Sequence, residues 1–371
     1  MKVIIVGAGI AGLSTAWALT KRGHDVTIIE QGPIPNPLAA SGDHHRIIRR
    51  AYGAHLGYAA RIDEAFHAWG EVWHDLGQSH YDQRGFLCLS YKEGDAADAH
   101  RDGLGAGGHP FEIVASEEAA ARWPFISADG LRYALHSPEG GALHCRRIAM
   151  GLAEWLRANG ADVREHHKVV GIDVDGATVT LENGNMLAGE CVVVTAGGWV
   201  LELFPDLAVD LQPYRTAVAY LDPPEDLRDA WRSAPTLLDV GESDEGYMIP
   251  PSGDGGLKFG TGLHKRPTDD ADANRDMHEG EGDEIRRRMA PTIARVDEYR
   301  VTEAASCVYT FTSDETFYAA SIGHALVVSA CSGHGYKFGA AVGRRVADAV
   351  ESGDTATLRQ WLRADDTGGD A

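Results

Sequence analysis

The first thirty residues restrict this chain more than any other stretch. KVIIV (2–6) is a short apolar run of the kind that forms a fully buried parallel strand. It is followed by Gly7-Ala8-Gly9-Ile10-Ala11-Gly12, a helix-period stretch to about Arg22, a stop at Gly23, and a second apolar run, DVTII, that leads to Glu30. This order predicts a βαβ unit with its glycines in the first turn and a carboxylate 18 residues beyond the last of them. Each position has its own physical reason: Gly7 permits the tight turn, Gly9 lets backbone N–H groups reach a pyrophosphate, and Gly12 lets the helix close on the strand. Ile10 and Ala11 begin a helix whose positive end faces the anion. Glu30 is placed to accept hydrogen bonds from a ribose diol. The sequence thus predicts a dinucleotide site on a Rossmann-like α/β domain.

At 371 residues, and with about 150 residues per domain, two connected domains are expected. Residues 163–189 alternate and carry turn signals at Asp175-Gly176 and Asn183-Gly184, which predicts a β-meander, with Val169 in its first strand. CVVV (191–194) and ALVVSA (325–330) read as further buried strands of the nucleotide domain. Segments 84–142 and 213–304 are richer in aromatics, turns and polar alternation, as an antiparallel sheet inserted twice would be. The expected organisation is α/β plus β: a discontinuous nucleotide-binding domain (1–83, 143–212 and 305–371) and a substrate domain (84–142 and 213–304). The charge run at 268–284 is expected to be a solvated loop or helix start.

Composition excludes several classes. With 34 basic and 55 acidic residues the net charge is -21, a field that repels nucleic acid and anionic membrane surfaces. No run approaches the roughly 20 apolar residues that span a bilayer. Five widely spaced cysteines without a CxxC pair argue against a disulfide framework or a metal site. A reducing, cytoplasmic setting is expected, and KVIIVGAG replaces the pattern of a signal peptide.

Four further motifs, SGDHHRIIRRAYG (41–53), GGLKFG (255–260), CVYTFTSDETF (307–317) and SGHGYKFG (332–339), join the fingerprint in order and spacing. Together they resemble monomeric sarcosine oxidase and its N-methyl amino acid oxidase relatives over nearly the whole chain. The resemblance implies a D-amino-acid-oxidase-like fold and bound FAD. It also implies oxidation of an N-methyl or cyclic secondary amino acid to an imine that hydrolyses, with O2 reduced to hydrogen peroxide.

By the same resemblance, Cys307 carries the flavin through a thioether, a bond suited to a thiolate nucleophile. Lys258 lies over the flavin and activates O2, where a fixed cation stabilises the superoxide formed by the first electron transfer. Arg49 and Lys337 bind the substrate carboxylate as a guanidinium fork and a compact charge. Tyr247 lines the substrate cavity, Arg46 lies against the flavin, and Arg50 faces solvent. Ser41 and Val169 are counted with the cofactor contacts. Gly333, His334 and Gly335 form a loop whose N–H groups, at the start of a helix, face the flavin edge that gains negative charge on reduction.

Two departures from the pattern stand out. Gly262 occupies the position four residues after Lys258 where the family carries a histidine, the nearest histidine being His264, and His44-His45 precede Arg46. Sarcosine itself is therefore not specified. A dehydrogenase of the same fold, a nicotinamide-dependent hydroxylase and a catalytically idle flavin-bearing subunit stay open as alternatives, the hydroxylase disfavoured by the lack of a second dinucleotide fingerprint.

Overall fold

The computed structural model describes residues 1–53 and 56–365. The fingerprint forms strand Lys2–Val6, helix Ile10–Lys21 and strand Asp25–Ile29. These strands lie inside a six-stranded sheet with the order Tyr318–Ile322, Ala325–Ser329, Cys191–Val194, Lys2–Val6, Asp25–Ile29, Asp162–Arg164. All neighbours pair in parallel except Tyr318–Ile322, which is antiparallel to Ala325–Ser329. Both faces are covered, which is why the strands are nearly unbroken Val and Ile runs. Helices including Ile10–Lys21, Leu56–Leu76, Cys145–Ala158 and Gly339–Ser352 bury one face. A small antiparallel sheet, Val169–Asp173, Thr178–Leu181 and Met186–Ala188, buries the other.

The meander is thus shorter than the 163–189 expected. Asp162–Arg164 joins the parallel edge beside Asp25–Ile29, and the chain turns through His166 (φ 59°) before the antiparallel strands begin. Helix Gly339–Ser352 lies close against Ile10–Lys21, because a Cβ at Gly339 would fall 2.4 Å from Ile10 and one at Gly343 would fall 2.3 Å from the Ser14 backbone. The starts of the two helices are therefore side by side, which holds the preceding loop near the glycine turn.

Strands drawn from residues 86–137 and 212–311 build a nine-stranded, mainly antiparallel sheet. The two stretches meet in one parallel pair, Phe86–Ser90 with Thr236–Val240. Trp231, stacked on Phe125 with ring centroids 3.9 Å apart, anchors the core under this sheet. Strand Arg300–Phe311 runs through residue 305 and pairs along its length with Gln212–Asp222 of the large sheet. A third small sheet, His45–Arg49, Gly140–His144 and Tyr81–Gln83, joins the two cores. On alternate faces of its first strand, Ile48 packs into the helical core and Ile47 packs against Ile249 of the large sheet.

The charge run is only partly solvated. It does start a helix, Glu281–Arg287, but Glu281 is 2% exposed and lies between Arg215 (Nη1 to Oε1 2.5 Å) and His264 (2.5 Å). Upstream, Ala271 packs on Trp199 and Val308, and Asp272 accepts the Trp199 indole N–H at 3.0 Å. The acid of this run that enters the core, Glu281, is the one that neutralises a buried arginine. No described helix is long and apolar enough to cross a membrane.

Candidate active site

One elongated cavity runs from the fingerprint turn to the third sheet. At its first end, strand Lys2–Val6 stops at Gly7 (φ 97°), where an added Cβ would lie 2.6 Å from the Thr195 carbonyl, and a Cβ at Gly12 would lie 1.9 Å from the Gly7 carbonyl. Both glycines are required by close backbone approach. Gly9 differs: a Cβ there would meet only Ser41 Oγ, at 3.4 Å, so the turn is left open toward the cavity. Ser41 Oγ accepts from Ile10 N at 3.0 Å. Glu30 accepts from Ala8 N (2.8 Å), Gly32 N (3.0 Å) and Asn36 Nδ2 (2.9 Å), and its carboxylate lines this end together with Lys168 and Val169.

At the other end Arg46, Arg49, Tyr247, Tyr309, His334 and Lys337 line the cavity. Arg49 and Lys337, 288 residues apart in sequence, meet at Tyr52: the Arg49 guanidinium is 4.7 Å and the Lys337 ammonium 5.5 Å from its ring centroid. Arg49 also packs on Phe86 at 5.5 Å, and its Nη1 is buried with no hydrogen-bond partner. Lys337 Nζ donates to the His334 carbonyl at 3.0 Å. Burial, and then repulsion from Arg49, pulls the Lys337 ammonium well below the usual lysine range. Gly333 (φ 76°) and Gly335 shape the intervening loop; a Cβ at Gly335 would fall 1.8 Å from the Ala330 carbonyl.

A carboxylate placed between Arg49 and Lys337 would favour the ammonium form of Lys337, so such binding would take up protons wherever that amine is unprotonated and would weaken as pH rises. Benzoate titrated in buffers of different ionisation enthalpy should show proton uptake and a dissociation constant that increases with pH. A pH-independent constant with no uptake would mean that Lys337 stays charged without an anion.

Lys258 is not in the cavity wall. It is fully buried, 5.8 Å from the Tyr247 ring centroid, and donates to Asp43 Oδ2 at 3.0 Å and the His45 carbonyl at 2.5 Å. Burial lowers it to about 8, against the pull of Asp43. Asp43 also accepts from Arg46 and from the Tyr220 hydroxyl.

The family model for FAD dependent oxidoreductases matches residues 2–349. The chain belongs to this family. Among curated relatives of this FAD-dependent oxidoreductase, monomeric sarcosine oxidase of Bacillus sp. (strain B-0618) is 27% identical over 370 residues, covering 95% of this chain and 93% of the relative. N-methyl-L-tryptophan oxidase of Yersinia pestis (strain Pestoides F) is 24% identical over 356 residues, covering 92% of each. Among solved structures, L-proline dehydrogenase from P. horikoshii superposes with a TM-score of 0.82 at 19% identity, covering 98% of this chain and 96% of that one, which establishes a common fold.

The cavity of the FAD-dependent oxidoreductase fits its cofactor. The open turn at Gly9, the start of helix Ile10–Lys21 and the Glu30 carboxylate supply N–H groups, helix dipole and ribose acceptor in one place. Cys307 is buried on the strand that carries Tyr309 into the wall, but the thiol lining the cavity is Cys331. Burial pushes the Cys307 thiol up, opposed first by the Arg46 charge and more weakly by Arg275.

His264 does not replace the missing histidine, since it is buried against Glu281. The space beside Gly262 is taken by Glu245, whose Oε2 would lie 2.3 Å from an added Cβ. Arg50, expected to face solvent, is half-buried and paired with Asp63 and Glu139. Sequence reasoning passed over Asp43, Tyr52, Tyr309 and Cys331, although all four stand inside the quoted motifs or next to one. Strand alternation from Cys307 places Tyr309 on the same face.

Proposed function

We propose that this flavoenzyme oxidises an N-methyl or cyclic secondary amino acid to its imine, which water hydrolyses, and reduces O2 to hydrogen peroxide. The reading rests on one observation above all: buried Lys337 and half-buried Arg49, whose Nη1 is buried, converge at Tyr52, and among the described residues neither makes an ion pair. Buried cations without an anion are costly, and a substrate carboxylate is the matching partner. The fork of Arg49 and the compact charge of Lys337 fix the carboxylate and so orient the adjacent amine. Tyr247 and Tyr309 border the space beside them. FAD, when bound, accepts two electrons from the amine and passes them to O2. Lys258, one residue layer behind the wall, supplies positive charge for that second step.

The test is a peroxide-coupled assay with sarcosine, other N-methyl amino acids, pipecolate and proline. Peroxide from at least one, and none from its amide, is expected. A dehydrogenase of the same fold is the alternative reading. Turnover with an artificial dye but none with O2 would select it.

The proposal includes covalent attachment through Cys307. Acid-precipitated protein should keep its yellow colour, Cys307→Ala should lose it, and Cys331→Ala should not. A colourless wild-type pellet, or a flavin-bearing peptide containing Cys331, would reject this attachment. The five cysteines are free, which suits a reducing cytoplasm.

A further inference from the structure

Asp43 belongs to none of the roles assigned above, yet it is the most heavily engaged carboxylate near the cavity. Its side chain is 10% exposed and touches groups from three separate elements. Oδ2 accepts from Lys258 Nζ, 3.0 Å away on strand Leu257–Thr261, and from Arg46 on strand His45–Arg49. Oδ1 accepts from the Tyr220 hydroxyl of strand Gln212–Asp222 and from His44 N at 2.7 Å. One carboxylate thus sits between a fully buried cation, Lys258, and a half-buried one, Arg46, and with both charged the cluster carries a net charge of one rather than two.

We propose that Asp43 is a positioning residue that holds the Lys258 ammonium protonated just behind Arg46 and Tyr247 of the cavity wall, so that its charge is available when O2 is reduced. The inference rests on the oxidase reading for the oxygen step, while the charge state of Lys258 is a property of the chain alone.

The physical argument is a balance of burial against pairing. Lys258 has no exposed surface, so water does not stabilise its charge. Arg46 repels it, and Asp43 is the anion that offsets both effects. Among the described residues, the other titratable groups near the ammonium are the Tyr220 and Tyr247 phenols, the His45 ring, the Cys145 thiol and the half-buried His44 ring, whose pKa burial also lowers. Burial keeps both phenols and the thiol protonated and the His45 imidazole unprotonated, so none of them supplies a second negative charge. The Asp43 carboxyl stays ionised: burial opposes it, but Lys258 and then Arg46 outweigh burial and hold it well below the usual carboxylate range. With Asp43 present Lys258 titrates at about 8. Without it the same ammonium faces Arg46 alone, and its proton is lost at lower pH. The sign is fixed: a cation with a lowered pKa is charged only below that value, so function that needs the charge fails first on the alkaline side.

The chain contains only seven lysines, which makes a direct reading practical. Protein labelled with 13C at lysine Cε gives few signals, and Lys258→Met identifies the one from Lys258. In Asp43→Asn its midpoint should fall by at least one pH unit relative to wild type. Tyr220→Phe, which removes one hydrogen bond but leaves the carboxylate, should shift it less. In parallel, reoxidation of the reduced holoenzyme by O2 should be at least about fivefold slower in Asp43→Asn at pH 8 and recover toward wild type at pH 6, while reduction by substrate keeps its wild-type pH profile. Asp43→Glu should restore much of both. An unchanged Lys258 midpoint in Asp43→Asn, with FAD still bound, overturns the proposal. A shifted midpoint with an unshifted reoxidation profile overturns its link to oxygen. If wild-type protein reduces dyes but not O2, the oxidase reading fails, while the lysine titration still decides the part that concerns Asp43.

Discussion

Lys258→Met slows reoxidation of the reduced enzyme by about a thousandfold and leaves reduction by substrate much less affected. The cation has no exposed surface and lies beside two cavity-wall groups, Arg46 and Tyr247. One unit charge at about 4 Å in a partly buried setting is worth about 4 kcal/mol. That energy corresponds to on the order of a thousandfold in rate when it acts on the transition state alone. Electron transfer to O2 creates charge on an oxygen molecule beside the flavin, whereas reduction by substrate places its charge within the flavin ring itself, so the effect is expected chiefly on reoxidation. Methionine leaves Asp43 to Arg46 and Tyr220, which preserves most of the local pairing. Stopped-flow measurement of both half-reactions, with flavin content checked first, decides the point. Equal slowing of both would indicate displacement of the cofactor.

Arg49→Ala lowers kcat/KM for the best substrate on the order of 150-fold, roughly 3 kcal/mol, the scale of breaking a desolvated charge pair. The guanidinium is held in place before any ligand arrives, flanked by the Tyr52 and Phe86 rings. Its Nη1 has no partner within the protein, so little reorganisation accompanies binding. Arg49→Lys should recover only part of the loss, because an ammonium has no fork. The amide of the same substrate should be penalised to a similar degree in wild type and hardly further in Arg49→Ala. Unchanged kcat/KM in Arg49→Ala would move the carboxylate site elsewhere.

The parallel sheet was legible because its strands are buried on both faces and therefore read as continuous Val and Ile runs, and because glycines mark the turn. Arg49 and Lys337 were legible only through motifs. Local pattern does not bring residues 288 positions apart to one tyrosine ring. Glu281 and Asp43 were lost for a shared reason: an acid in a polar stretch looks solvated until the cation that buries it is known. Arg215 arrives from 66 residues away and Lys258 from 215, and neither distance leaves a trace in sequence periodicity. Lys258 was likewise legible only through its motif, and its pairing with Asp43 left no sign in the sequence.

The central claim is that a carboxylate-bearing secondary amine gives its electrons to the flavin and that O2 then removes them. It is tested most directly by anaerobic titration of the purified enzyme with the N-methyl and cyclic amino acids, followed by admission of air. The account predicts loss of the oxidised flavin absorbance with at least one of these compounds and not with its amide, then full recovery in air with one hydrogen peroxide formed per flavin. Bleaching by the amide as readily as by the acid would contradict it, as would an oxidised flavin that no member of the panel reduces.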